Sequence, residues 1–225
     1  MRRLTLPLAL LAVLAMAASA LAATNAAKFD MGFTTKKPAK STAFSFDVAF
    51  ANTGGNQVPA ALNKFSIALP AGTKFNGDGA AKCTAAETEL DTKFSAACPS
   101  ASIVGSGKAT AVPSGGGNSI NTTVKIANQG KGSFRFFFAL NGKDVTGFTA
   151  KAKGSKLTSE TLTGSLPGGV IVTSLKGSIK KKSAKGKNLI TTPKSCPKSK
   201  KWKFSGTFNF ADGTHKVSDS VSCKS

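Results

Sequence analysis

Apolar and polar residues alternate along much of this 225-residue chain. In one stretch, Phe44, Phe46, Val48 and Phe50 are separated by polar or small residues. Successive side chains of a β-strand point to opposite faces, so a period of two indicates a strand with one buried face. The same period recurs at Phe29, Met31 and Phe33, at Phe65, Ile67 and Leu69, at Ile120, Thr122, Val124 and Ile126, at Phe134, Phe136, Phe138 and Leu140, and at Trp202, Phe204, Phe208 and Phe210 with Gly206 in phase.

Clusters of Gly, Pro, Asn and Asp separate these apolar runs, at 53–56, 113–118, 141–142, 167–169 and 212–213. The last cluster is an Asp-Gly pair between two alternating runs, which is typical of a β-hairpin. Regular strand spacing with little helical periodicity predicts an all-β fold, namely an antiparallel β-sandwich of about ten to twelve strands, immunoglobulin-like or similar. No linker divides residues 23–225, which are therefore predicted to form a single domain.

One segment departs from the strand pattern. Thr84 and Glu87 have the spacing of a capping box, which predicts a short helix that extends to Leu90. This helix lies between the first two cysteines in the sequence, so a disulfide there would attach a small helical excursion to the sheet.

Four cysteines are present, Cys83, Cys98, Cys196 and Cys223. An even number in an exported protein favours disulfides, and local pairing predicts Cys83–Cys98 and Cys196–Cys223. A zinc site is the alternative, but there is no C-x-x-C motif and His215 is the single histidine. We therefore predict no metal site.

The first 22 residues have the layout of a secretory signal peptide, with two arginines, an apolar run and then small residues. The small residues Ala20 and Ala22 fit the cleavage rule, so the mature chain is predicted to begin at Ala23. An uncleaved anchor is the alternative. No later segment is apolar enough to cross a membrane, and no cysteine near the cleavage site indicates a lipid anchor. We expect a secreted protein, extracellular or associated with the cell surface.

The chain is strongly basic, with a formal net charge of +21 that falls to +19 when the two signal-peptide arginines are removed. The remaining positive charge is almost entirely lysine, since Arg135 is the one arginine left. Arginine, not lysine, supplies the planar bidentate contacts that read phosphates and base edges. The composition therefore favours anionic partners in general and argues against a specific nucleic-acid reader.

Several sequence stretches together resemble a group of secreted actinobacterial proteins with no established activity. The stretches are LPAGTKFN, ACPSASIVGSGKATA and ITTPKSCPKSKKWKFSGTFNFADG, with their Cys-Pro, Gly-x-Gly and Trp-x-Phe motifs. The resemblance covers most of the mature chain. It implies export and a β fold, and it implies no functional site.

The most distinctive candidate site is a lysine-rich region near the C-terminus. From Lys176 to Lys203 there are eleven lysines and no acidic residue. Alternation with Trp202 predicts that Lys201 and Lys203 point outward. The region is interpreted either as a solvated face that discourages edge pairing, or as a surface that adheres to an anionic cell-envelope polymer or polysaccharide. The lysines assigned to such a surface are Lys180, Lys181, Lys182, Lys185, Lys187, Lys200, Lys201 and Lys203.

Catalytic constellations are weak in this sequence. His215 has serines and aspartates near it in sequence, but it follows a tight turn, where a solvated histidine is expected. The acids Glu87, Glu89 and Asp91 cluster on the capped segment, where they favour a helix N-terminus, and no calcium-loop motif accompanies them. No cofactor motif is found, so no cofactor and no enzymatic activity are predicted. An extracellular polymer-acting enzyme with an unrecognised site remains the alternative.

A third hypothesis is a protein–protein interaction module, and it depends on Phe137. This residue alternates out of phase with Phe136 and Phe138 and so points away from the core, together with Arg135. An exposed phenylalanine on a sheet is a liability, so we expect another segment to cover it. If no segment does, the residue would be part of a sticky surface.

Overall fold

The computed structural model describes residues 24–53, 58–162 and 169–224, and more than half of these residues lie in β-strands. The predicted signal peptide, and with it the predicted cleavage site, lies outside the described residues. The strands are β1 Thr24–Phe33, β2 Phe44–Asn52, β3 Leu62–Ala68, β4 Lys74–Phe75, β5 Ile103–Pro113, β6 Ile120–Gly130, β7 Ser133–Leu140, β8 Lys143–Lys153, β9 Lys156–Ser159, β10 Val170–Ile179, β11 Ser183–Ala184, β12 Lys187–Asn188, β13 Ile190–Thr191, β14 Lys201–Phe210 and β15 Gly213–Ser222.

Eleven of these strands form one continuous antiparallel sheet, in the order β1-β2-β10-β5-β6-β7-β8-β9-β3-β14-β15. The all-β antiparallel prediction is thus confirmed, whereas the predicted sandwich of two sheets is not. Alternation shows that each strand has one buried face. It does not show whether the facing strands belong to a second sheet or to the same sheet curled around a common core. Two-residue pairs, β11 with β12 and β4 with β13, complete the strand pairing.

The two edge strands of this sheet, β1 and β15, face each other. Side chains of β15 and of the turn before it accept hydrogen bonds from main-chain N–H groups of β1. The acceptors are His215 Nδ1 for Ala26 (3.1 Å) and Asp219 Oδ2 for Met31 (2.9 Å), and Asp212 Oδ2 accepts from the Thr24 N–H (2.7 Å). These bonds give partners to main-chain N–H groups of the edge strand β1 that would otherwise have none. The sheet is therefore nearly closed.

The interior of the curled sheet is packed with aromatic side chains. Trp202, Phe204 and Phe208 are at most 2 % exposed, which confirms the predicted phase of β14. Gly206 continues this phase, and a Cβ atom there would lie 2.7 Å from the ring of Phe29. The glycine is therefore required for the approach of β1 to β14.

Leu140 is the position where the predicted alternation is wrong. It is 37 % exposed, although it follows Phe134, Phe136 and Phe138 in phase. The pairing of β7 with β8 shifts register between Phe138 and Ala139, so the last residues of β7 no longer keep the phase of the strand.

A short helix and one 3₁₀ turn, Phe94–Ala97, interrupt the strand pattern between the first two cysteines. We call residues 83–98 the covering segment. It contains α1, Glu87–Thr92, which is the predicted helix, although it begins two residues later than expected. Thr84 is therefore not its N-cap. Ala86 occupies that position, and the carboxylate of Glu89 accepts the Ala86 N–H at 3.4 Å.

The covering segment lies on the outer face of the sheet. Its Leu90 is fully buried in a small apolar cluster with Phe137 of β7 and Ala127 of β6. Phe137 is 0 % exposed, which agrees with the expectation that another segment covers it.

Both predicted disulfides are present. Cys83 is bonded to Cys98, with Cα atoms 4.9 Å apart, and Cys196 is bonded to Cys223, with Cα atoms 5.6 Å apart. The first bridge closes the covering segment, and the second attaches the end of β15 to the chain just before β14. Because all four thiols are used in disulfides, these cysteines are not available to zinc.

Candidate functional site

The two ends of the curled sheet differ in charge. Strand registers place the end of β1, the start of β2 and the end of β10 together, and β14 begins and β15 ends on the same side. We call this side the basic end and define it by the connections 34–43, 131–132 and 180–200 with residues 223–224. The connections 154–155 and 69–102 also start on this side, and the second of them carries four acids, Asp78, Glu87, Glu89 and Asp91, and three lysines, Lys74, Lys82 and Lys93. The lysines of the basic end are all exposed, and they are Lys36, Lys37, Lys40, Lys131, Lys180, Lys181, Lys182, Lys185, Lys187, Lys194, Lys198, Lys200 and Lys224.

At the opposite end, the described residues of the connections contain no lysine; these residues are 53, 58–61, 114–119, 141–142, 160–162, 169 and 211–212, and Lys143 begins β8 beside one of them. Two acids, Glu160 and Asp212, lie in these connections instead. The antiparallel topology thus collects lysines from several connections at one end of the sheet. The positive electrostatic potential at this end therefore comes from several connections and not from the C-terminal lysine run alone.

The segment 188–193 closes the basic end from within. Leu189 and Ile190 are 0 % exposed and point into the core. Main-chain hydrogen bonds hold the segment in place: the Asn76 N–H donates to the Leu189 carbonyl (2.8 Å), and the Thr42 N–H donates to the Ile190 carbonyl (3.1 Å). The lysines on either side of this apolar plug are therefore attached to a fixed scaffold.

All eight lysines assigned to the surface by sequence are exposed, and they lie in the basic end or, for Lys201 and Lys203, at the start of β14 beside it. Lys187 differs from the others because its ammonium group is 2.9 Å from the Asp78 carboxylate. The other seven have no ion pair within the described part of the chain. Their charges are thus free to act on an external partner.

Asp78 lies between two lysines, Lys82 at 2.6 Å and Lys187 at 2.9 Å. The hydrogen bond from Lys82, and then that from Lys187, lowers the pKa of its carboxyl to about 2. An acid whose pKa is lower in the folded than in the unfolded protein stabilises the fold above its unfolded pKa of about 4 and loses this effect at more acidic pH.

We expect the stability difference between the protein and an Asp78→Asn variant to be constant above about pH 4 and to vanish as the pH falls towards 2, the folded-state pKa. Thermal midpoints measured for both proteins across this range test the expectation. Because the carboxylate is exposed, added salt should shrink the difference. A gap that widens on acidification would contradict the assignment.

The single arginine of the described chain is buried on the outer face of the sheet. The side chain of Arg135 is 7 % exposed and its guanidinium contacts three acids: Asp91 at 2.8 Å, Glu87 at 3.2 Å and Glu160 at 3.6 Å. Two of these acids come from α1, so the acids that sequence placed at a helix N-terminus also join the covering segment to β7. The same cluster connects both to the chain that follows β9.

A serine lies between a lysine and an aspartate at the other side of the covering segment. Ser95 accepts a hydrogen bond from the Lys125 ammonium (2.9 Å) and donates a short one to the Asp144 carboxylate, which also accepts the Ser95 N–H at 3.0 Å. A serine nucleophile needs a free base to take its proton. Here the lysine donates and the carboxylate holds the segment's main chain, so the arrangement favours a structural clamp over a catalytic dyad.

His215, the candidate base in the sequence, is half-buried at the seam between β15 and β1. Its Nδ1 accepts the N–H of Ala26, so the ring is used to close the sheet. The solvated histidine expected from the sequence is therefore a histidine with a main-chain partner. Within the described ranges, no group of three or more His, Cys, Asp and Glu side chains is placed to hold a metal ion.

An apolar cavity of about 410 Å³ lies inside the curled sheet. At its deep end are Phe44 and Ile179, which are at most 1 % exposed and lie towards the basic end. At its mouth are half-buried residues at the other end of the sheet, Leu62, Leu162 and Val170. Among the described residues, the cavity thus opens at the end opposite the basic end.

The mouth forms because β8 has a strand partner over only part of its length. β9 pairs with residues 150–153 of β8, and beyond them the chain crosses from β8 to β3. In this crossing, the Glu160 N–H donates to the Thr149 carbonyl and the Leu162 N–H donates to the Asn63 carbonyl. Residues 143–149 of β8 therefore lack a strand on that side within the described part of the chain.

The cavity is open to solvent at its mouth, and its volume is about 410 Å³. Ligand-binding cavities of proteins are typically about 300–1,000 Å³. No pattern in the sequence indicates this cavity, because most of the residues that line it are spaced like ordinary core positions.

The described part of the chain contains no helix with the length and apolar character needed to span a membrane. Comparison with known proteins found no matching family model, no matching curated protein and no matching solved structure. The resemblance to secreted actinobacterial proteins therefore stays a prediction, and any function must be argued from the geometry.

Proposed function

We propose that the protein is an exported, non-enzymatic binding module that attaches to an anionic polymer outside the cell through its basic end. The observation that carries the proposal is the charge asymmetry of the sheet, in which lysines occupy the connections of one end and are absent from the described connection residues of the other. Export is proposed from the predicted signal peptide, and the two disulfides fit an oxidising compartment.

The type of charge supports a polymer and not a small specific anion. The seven unpaired lysines of the predicted site are exposed, and each presents a hydrated ammonium on a flexible stem. A specific anion site would use fixed, convergent donors, and Arg135 is committed to three carboxylates. The basic end therefore favours long-range attraction to wall polymers or acidic polysaccharides without sequence or sugar specificity.

Two competing hypotheses are less well supported. The interaction module required an exposed Phe137, and this residue is 0 % exposed beneath the covering segment. A polymer-acting enzyme would need a nucleophile or paired acids with freedom to react. Ser95 is held between two charged partners, and the acids at the cavity mouth surround Arg135.

A pair of charge-matched variants tests the proposal. Replacing Lys180, Lys181, Lys182 and Lys185 with Gln removes four unpaired lysines from the basic end. The control replaces Lys64, Lys108, Lys143 and Lys216, which are also exposed and unpaired in the described chain but lie on strands away from it. Both variants change the net charge by the same amount, so net charge alone cannot distinguish them.

We expect the basic-end variant to elute from a dextran sulfate column at clearly lower salt than the unchanged protein, while the control variant shifts little. By the counterion-release argument, the slope of log binding constant against log salt should fall by up to roughly four for the basic-end variant. Equal effects of both sets would show that only net charge matters. If neither set has an effect, or if retention survives high salt, the lysines are a solvated face.

A further inference from the structure

We propose that the cavity inside the sheet is a binding site for a single-chain aliphatic ligand with an uncharged polar head group. The chain would lie among the phenylalanines, and the head group would lie at the mouth, at the end opposite the basic end. This site is separate from the basic end, so it extends beyond the proposed polymer attachment.

The shape of the cavity favours one extended chain. Phe44, Phe46, Val48 and Phe50 of β2 all line it, and at about 3.4 Å per residue they span roughly 20 Å. A volume of about 410 Å³ spread over that length is narrow, which suits an alkyl chain better than a fused ring system. A water molecule, which has one heavy atom, takes about 30 Å³ of liquid volume, and by this measure the cavity accommodates about a dozen heavy atoms.

The lining of the cavity matches this chemistry. Its walls are phenylalanine and aliphatic side chains, and the half-buried Val172 and Leu175 of β10 continue the apolar surface towards the mouth. A site with apolar walls and a few polar groups at one end is the usual architecture for a ligand with one polar end.

The charge at the mouth of the cavity determines which ligand head group is favoured. The charged residues that line the cavity are three acids, Glu87, Asp91 and Glu160, and one base, Arg135. The guanidinium is shared among all three carboxylates at 2.8–3.6 Å, so the mouth carries an excess of negative charge. A carboxylate head would meet like charges there, whereas a hydroxyl can hydrogen bond to the nearby hydroxyls of Thr146 and Thr161, which also line the site.

Titration with 1-decanol and with decanoate, a pair that differs only at the head, tests both parts of the proposal. Calorimetry on the purified protein at neutral pH should show one site for 1-decanol, with binding about tenfold or more tighter than that of decanoate. Glu160→Gln should strengthen decanoate binding relative to 1-decanol binding, because it removes a negative charge from the mouth while the amide oxygen can still accept the Thr149 N–H that Glu160 accepts at 2.6 Å.

Two valine variants locate the site. Val172→Phe fills the cavity and should weaken 1-decanol binding about tenfold or more. Val145→Phe makes the same change on β8 at a residue that is 42 % exposed and does not line the cavity, and it should bind as the unchanged protein does. If Val172→Phe fails to fold, Leu175→Phe replaces it. Both valine variants should elute from dextran sulfate like the unchanged protein.

Each outcome decides one part of the proposal. Absence of 1-decanol binding by the unchanged protein, or full binding by a folded cavity-filled variant, overturns the ligand site. Equal affinity for 1-decanol and decanoate overturns the assignment of the head group. None of these results bears on polymer attachment, which the lysine variants test independently.

Discussion

Replacing Trp202 with alanine is expected to lower the free energy of unfolding by about 3–5 kcal/mol, because a large buried ring is removed and the space cannot fully collapse. The residue is 2 % exposed and lies at the basic end of the sheet, which the segment 188–193 closes. Its ring meets the ring of Phe33 edge-on, with centroids 5.6 Å apart. The residue thus joins β14 to β1, the edge strand that closes the seam.

Equilibrium unfolding in denaturant measures this loss, and Trp202→Phe is the matched control. Phenylalanine keeps an aromatic ring at the site and removes the indole Nε1, which is buried without a hydrogen-bond partner in the described chain. Because an unsatisfied donor no longer has to be buried, the control should lose clearly less stability than the alanine variant. A cost below about 1 kcal/mol for Trp202→Ala would mean that this position is not core.

The inward and outward positions of single strands were predictable from sequence because they are a local property. Each strand defines its own two faces, so alternation around Trp202 and Phe204 is enough to place Lys201 and Lys203 outside. The covering of Phe137 was also predictable, since a large apolar residue on the wrong face requires a partner. The helical excursion between Cys83 and Cys98 supplies that partner.

The wrong predictions concern properties that depend on how separate segments of the chain pair and pack. Leu140 is exposed because a register shift interrupts the pairing of β7 with β8, and nothing in the residues of β7 indicates it. The helix begins after Ala86 and not after Thr84, although Thr84 is the better cap by itself. One curled sheet and two packed sheets give the same alternation, so the sequence could not choose between them.

The candidate sites follow the same division. The lysine run from Lys176 to Lys203 was visible in the sequence, but the basic end was not. Lys36, Lys40 and Lys131 join it only because the antiparallel topology brings their connections to the same side. The cavity depends on the space left between side chains and on the partly unpaired edge of β8, which are properties of packing.

Phe137→Ala is expected to lower the free energy of unfolding by about 3–5 kcal/mol, a core-sized loss for a residue on the outer face of the sheet. Phe137 and Leu90 are both 0 % exposed and share one apolar cluster that also contains the Cys83–Cys98 bridge. If the covering segment is an integral part of the fold, changes at these two positions should not be independent.

A double-mutant cycle with the milder changes Phe137→Leu and Leu90→Val tests this coupling, because milder changes keep the double variant folded. We expect the combined loss to differ from the sum of the single losses by about 0.5 kcal/mol or more, as for residues in one cluster. The control cycle pairs Leu90→Val with Phe138→Leu, whose ring belongs to the interior core on the other face of β7. That cycle should be additive within about 0.3–0.5 kcal/mol. Additivity in both cycles would show that the contact of Leu90 with Phe137 does not couple the covering segment to the sheet, and equal coupling in both would show that the two faces of β7 do not act as separate cores.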